Sequence, residues 1–174
     1  MKRKVYPEIS LLRDILDYNH ESGALTWKAS DKRSDSWNKR YAGVAALQSI
    51  EPTGYLRGTI GGSQYKAHVI CWGIYYGRYP SLEIDHINGN KSDNRIENLR
   101  SASRSENQIN IGIRLNNTSG YKGASWKSRN GKWQSQIQLN GKTKYLGLYN
   151  TAEEAGAAYD NASRKYHGEF GRIY

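Results

Sequence analysis

Cysteine is almost missing from this sequence. Cys71 stands alone among 174 residues. A single thiol excludes a disulfide within the chain and any zinc site built on cysteines. A reducing cytoplasm is therefore the expected setting. Long apolar runs are missing too. No stretch approaches the roughly 20 apolar residues that a membrane-spanning helix needs, so no membrane partner is expected. Met1-Lys2-Arg3-Lys4 is basic but has no apolar core behind it, so no secretory leader is expected. Phenylalanine occurs once, against 14 tyrosines and 5 tryptophans. Tyr and Trp join an apolar body to a polar tip and suit surfaces that are partly wet.

Acidic residues are the remaining shortage. Asp and Glu total 16 against 26 Lys and Arg, a net charge of +10. That balance calls for a polyanionic partner, and with no membrane segment the partner is nucleic acid. The shortage is local as well. Ser119 to Asn150 holds Lys122, Lys127, Arg129, Lys132, Lys142 and Lys144 but no Asp or Glu. Hydrophobic residues make up 37%, low for one well-filled globule, while 24% charged is ordinary. Small modules with modest cores follow.

Periodicity sets the elements. Ile9, Leu12, Ile15 and Leu16 recur at helical spacing and predict a helix over 8–18. A turn over 19–23 and a strand over 24–28 come next. The polar segment 29–41 has no period and reads as a loop. Residues 55–60 and 64–67 read as strands of a hairpin around Gly61-Gly62. A helix is expected over 68–76, stopped by Pro80, and a short strand over 83–87. Residues 112–119 look like a linker. Beyond it, strands are expected over 121–127, 132–139 and 142–148. In the second, Trp133, Ser135, Ile137 and Leu139 alternate with Lys132, Gln134, Gln136 and Gln138. Thr151-Ala152-Glu153-Glu154 matches a capping box that opens a helix to about Tyr166, with Gly168 as its C-cap. The expected class is α+β, ending in a three-stranded antiparallel sheet with one packed helix.

Chemistry concentrates near Asp85-His86. Asn88, Asn90, Asp93, Asn94, Asn98 and Asn107 all follow within 22 residues. Such short polar side chains are costly as core and useful around a metal or phosphate. The run Asp85-His86-Ile87-Asn88-Gly89-Asn90, then Asp93-Asn94-Arg95-Ile96-Glu97-Asn98-Leu99-Arg100, then Ser105-Glu106-Asn107, resembles the HNH endonuclease family. It is most similar to phage and intron-encoded homing-type members that end the motif in Asn. The resemblance covers roughly 54–110, and with it the cytoplasm would be that of the host cell.

The resemblance implies a ββα-metal nuclease core with a role for each residue. His86 would be the general base, suited by an ordinary pKa near 6.5. Asn98 is the brace counted with it in the catalytic set. Asp85 and Asn107 would hold a divalent metal. Two hard oxygen donors favour Mg²⁺, with Mn²⁺ as the other candidate, over Zn²⁺. Arg95, Arg100 and Arg104 would reach phosphate. His68 is assigned to structure or a phosphate contact rather than to the metal.

The C-terminal part resembles the AP2/ERF DNA-binding domain through Tyr121-Lys122-Gly123, Gly131-Lys132-Trp133, Lys144-Tyr145-Leu146-Gly147, Thr151-Ala152-Glu153-Glu154-Ala155 and Ala158-Tyr159-Asp160. That family lays its sheet in the major groove. By position, Lys122, Ser125, Lys127, Gln136, Gln138, Thr143 and Tyr145 would face DNA, with Arg129 beside them. The expected plan is an N-terminal α/β segment over 1–53, an HNH core over 54–111, a linker over 112–119 and an AP2-like module over 120–174. The expected activity is metal-dependent cleavage of double-stranded DNA by a monomer or weak dimer. A non-enzymatic DNA-binding regulator with a vestigial centre is the competing reading, and intact Asp85, His86 and Asn107 weigh against it. A defence nuclease would share the chemistry.

Overall fold

The structure, a computed structural model, describes residues 5–114 and 116–171. The basic opening Met1-Lys2-Arg3-Lys4, Leu115 of the expected linker and the last three residues lie outside the described residues. The chain is α+β and divides into two compact units between Ser101 and Ala102. The expected HNH segment, 54–111, runs across this division.

In the first unit, helix α1 (Ile9–Ile15) stops earlier than the periodicity predicts. Leu16 turns into strand β1 (Leu16–Asn19), which pairs antiparallel with β2 (Ala24–Trp27), Leu16 opposite Trp27. The side chain of Leu16 is buried either way, so helical spacing did not reveal the change of backbone. The segment read as a loop also contains a helix, α2 (Asp35–Tyr41). The Ser34 hydroxyl caps it by accepting from the Trp37 N–H. None of its residues is buried, which explains the missing apolar period.

Strands β3 (Ser49–Ile50), β4 (Leu56–Ile60) and β5 (Ser63–Lys66) form a sheet in that order. The β4–β5 turn is the Gly61-Gly62 hairpin. Helix α3 (Ala67–Tyr76) follows at once and ends on Gly77 in the left-handed conformation. Strands β6 (Glu83–His86) and β7 (Leu99–Ala102) pair with each other. Leu12, Leu16, Leu25, Ile60, Ile70, Cys71, Ile84 and Leu99 form one buried cluster, so α1, α3 and the strands that carry the site share a core.

In the second unit, the capping box of α4 (Arg104–Ile109) joins the Ser103 and Glu106 side chains to each other's backbone N–H. Strands β8 (Ala124–Lys127), β9 (Lys132–Leu139) and β10 (Lys142–Tyr149) form an antiparallel sheet with β9 in the middle. Helix α5 (Ala152–His167) opens on the Thr151–Glu154 capping box. It packs Tyr159 and Ala162 on Ile137, with Leu139 and Leu146 alongside. The small residues Ala155, Gly156 and Ala162 let the helix lie close to the sheet. No helix among the described residues is long and apolar enough to cross a membrane.

The interior of this module contains a polar orphan. Ser135 is fully buried on β9, and its hydroxyl has no hydrogen-bond partner. A buried hydroxyl left unbonded costs free energy, whereas a methyl of similar size does not. Ser135→Ala should therefore leave the module as stable as before or stabilise it by up to about 1 kcal/mol. Urea unfolding checks this, and a loss above that size would mean the hydroxyl has a partner in solution.

Candidate functional site

Strand β6 carries Asp85 and His86, and both side chains are buried. The loop that follows returns through Asp93 and Asn94 to a short 3₁₀ turn, Ile96–Asn98, and into β7. Asn98 spans this loop. Its Oδ1 accepts from the Asn88 N–H at 2.9 Å, and its Nδ2 donates to the Asp93 carbonyl at 2.8 Å. Its own carbonyl accepts from Ile87 N–H. One amide side chain thus pins both ends of a polar loop that apolar packing cannot hold.

Arg100 sits on β7 across from Asp85. Its Nε and Nη2 both donate to Asp85 Oδ2, at 2.9 and 2.7 Å. The side chains are 12% and 6% exposed, so this is a buried ion pair. The expectation that Arg100 reaches DNA phosphate thus meets a different placement: its guanidinium neutralises the candidate metal ligand from within. Arg95 is also engaged by the protein. It bridges Asp93 and Glu97 at 2.9 and 2.7 Å, and it holds the Asp93 carboxyl down at about 2. Both arginines neutralise nearby carboxylates, which makes the centre less acidic than its composition suggests.

His86 Nε2 lies 3.2 Å from Asn94 Oδ1. Burial lowers the His86 pKa, and the bond to Asn94 and the Asp85 and Asp93 carboxylates oppose that shift. A neutral imidazole at neutral pH is the form a general base requires. The His68 ring meets His86 edge-on at 5.1 Å, and Tyr55 packs against both rings. Burial, then His86 and Lys66, drive His68 down to about 3. His68 Nδ1 is buried without a hydrogen-bond partner. His68 is therefore an uncharged ring packed against Tyr55 and His86. Lys66 and Lys91 place their ammonium groups over the Tyr55 ring, at 4.1 and 4.9 Å from its centroid, and add positive charge beside it.

Asn107 lies on α4 in the second unit, half-buried, with its N–H bonded to the Ser103 carbonyl. Among the described residues no group of three or more His, Cys, Asp or Glu could hold a metal ion. The expected pair, Asp85 and Asn107, is one carboxylate and one amide. Both supply hard oxygen, which is the donor chemistry that Mg²⁺ and Mn²⁺ take, with water and phosphate completing the shell. Asp85 Oδ2 accepts twice from Arg100, which orients the carboxylate.

In the second unit the register sorts the sheet residues by face. Ser125 pairs with Gln134, Lys127 with Lys132, Gln136 with Tyr145 and Gln138 with Thr143. Directly opposed residues point the same way. Ser125, Lys127, Gln136, Gln138, Thr143 and Tyr145 therefore share the face away from α5. Side-chain amides link neighbours there, Gln134 Nε2 to Gln136 Oε1 at 2.8 Å and Gln138 Nε2 to Thr143 Oγ1 at 3.4 Å. Arg129 is exposed in the β8–β9 turn. Lys122 departs from this set. Its ammonium donates to the carbonyls of Ile109 and Ile111, at 2.5 and 2.8 Å. Carbonyls at a helix C-terminus lack intrahelical partners and attract a cation, so Lys122 ties α4 to the sheet module.

Asn94 and Tyr18 are functional candidates that sequence reasoning did not single out. Asn94 stood among many asparagines, and nothing in the local pattern marks which one meets the histidine.

A family model described as HNH endonuclease matches residues 65–109. Protein 3.8 of Escherichia phage T7 is 34% identical over 113 residues, covering 63% of this chain and 93% of its own length. The ethylene-responsive transcription factor WRI1 of Arabidopsis thaliana is 46% identical over 50 residues, 28% of this chain and 12% of its own. A solved structure described as DNA binding and cleavage by the HNH homing endonuclease I-HmuI covers 86% of this chain and 79% of its own, at 18% identity and a TM-score of 0.42.

Proposed function

Because the chain belongs to the HNH endonuclease family, we propose that it hydrolyses phosphodiester bonds in double-stranded DNA with a divalent cation held by Asp85 and Asn107, and that its AP2-like module keeps it on its substrate. The observation that carries this reading is the buried Asp85-His86 pair on β6, closed by the Asn98-pinned loop. All three residues fall inside the segment that the family model matches.

The chain's own groups divide the work. His86, kept neutral by burial, accepts the proton of the attacking water. Asp85 and Asn107 supply the hard oxygens. The bound cation, Mg²⁺ before Mn²⁺, would stabilise charge at phosphate and leaving oxygen. Arg100 neutralises the Asp85 carboxylate in its buried setting and fixes its orientation. Asn98 preserves the loop geometry that places His86.

Amide and cationic side chains on the open sheet face suit base edges and phosphates. A second module raises the effective concentration of DNA at a core that reads little sequence. Binding should weaken steeply with salt as basic contacts release counterions. The biology fits a phage or mobile-element homing-type enzyme, with the host cytoplasm as its setting. One centre per chain gives a nick from a monomer, while a double-strand break needs a weak dimer or two events. Plasmid cleavage with Mg²⁺ or EDTA, using the wild type beside Asp85→Asn and Asn107→Ala, tests the reading. Cleavage should need both residues and the cation.

A further inference from the structure

We infer that Asn94 is a positioning residue for His86: its side-chain oxygen accepts the hydrogen on Nε2 and thereby makes Nδ1 the basic nitrogen of the imidazole. The inference rests on the reading of His86 as the general base and adds which nitrogen does the work and what selects it.

A neutral imidazole has one N–H and one bare nitrogen, and the hydrogen bond made by one nitrogen decides the state of the other. Asn94 Oδ1 can only accept. Its 3.2 Å contact with Nε2 therefore places the hydrogen on Nε2. Enzymes that use a histidine base commonly orient it through a third group, and an amide oxygen can fill that place without adding a charge.

Asn94 is built to be held still. Its side chain is buried. The Tyr18 hydroxyl on β1 donates to its carbonyl at 2.6 Å, and burial raises the Tyr18 pKa, so the phenol keeps its hydrogen. Asn98 grips the preceding Asp93 carbonyl. The turn of the β1–β2 hairpin closes from the other side, where the Ile96 N–H donates to the His20 carbonyl. Gly23 sits in that turn at φ +76°, and a Cβ there would come within 2.7 Å of the Asn94 carbonyl carbon. Only glycine allows that approach. The N-terminal hairpin, which has no place in the motif, thus clamps the residue that orients the base.

Imidazole ¹⁵N spectra of the whole protein test this, with His86→Gln identifying the resonances. The wild type should show Nε2 protonated and Nδ1 bare in neutral His86. Asn94→Leu should lose that fixed tautomer and lower kcat by on the order of 100-fold, with KM little changed. Asn94→Asp keeps an acceptor and should retain the tautomer and kcat to within about tenfold. If Asn94→Leu does not fold, the wild-type and Asn94→Asp spectra still decide. A wild-type Nδ1–H tautomer, or an Asn94→Leu protein with unchanged tautomer and kcat, overturns the inference. Either result beside an inactive His86→Gln leaves the base reading standing, whereas an active His86→Gln overturns both.

Discussion

Arg100→Met should cost the first unit about 3–5 kcal/mol and abolish cleavage. The substitution leaves methylenes where the arginine stem ran but removes the cation from a carboxylate that is 6% exposed. Removing one partner of a buried pair leaves a charge without compensation, and that charge is far more expensive than the pair is valuable. The double variant Asp85→Asn with Arg100→Met makes the same point in reverse. With no charge left to compensate, it should regain most of the lost stability and remain inactive, because the proposed metal ligand has gone. Chemical unfolding of the single and double variants measures both terms. A loss below about 1 kcal/mol for Arg100→Met would mean that water solvates the pair as it does on a surface.

Gly123→Ala should unfold the sheet module while the first unit stays folded. Gly123 has φ +74°, where an L-residue is strained. Its new methyl would overlap the Tyr159 ring, with Cγ only 2.6 Å away. Strain and overpacking together amount to about 2–5 kcal/mol. The module has little with which to offset this, because Ile137, Tyr159 and Ala162 make up its buried cluster. Amide hydrogen exchange should show protection lost across β9 and α5 and kept across α3. Binding to DNA should fall in parallel. Protection unchanged in β9 would show that the ring can move aside and that the glycine is not required.

The sheet module was legible because each of its signals is local. The alternation along 132–139 puts Ser135 and Ile137 inside and Gln136 and Gln138 outside, and Thr151 and Glu154 cap α5 from four residues of sequence. The motif around Asp85 and His86 was legible for the same reason. What stayed hidden depends on residues that meet only after folding. Arg95, Arg100 and Lys122 read as free cations, yet each is taken by a carboxylate or by helix-end carbonyls. Asn94 was indistinguishable from its neighbours until the fold brought Tyr18 against it from 76 positions away. Helix α2 was missed because it buries nothing. The Trp37 and Tyr41 rings meet at a tilt, and Arg33 and Arg40 lie over them, so no apolar stripe forms.

Supercoiled-plasmid cleavage by wild type and His86→Ala, with Mg²⁺ and with EDTA, separates a metal-dependent nuclease with a histidine base from a protein that only binds DNA. Wild type should nick or linearise the plasmid only with Mg²⁺, and His86→Ala should be slower by at least about 100-fold while binding the same DNA. Equal cleavage by both proteins, or binding without cleavage by a folded wild type on DNA that carries its target, would contradict the account.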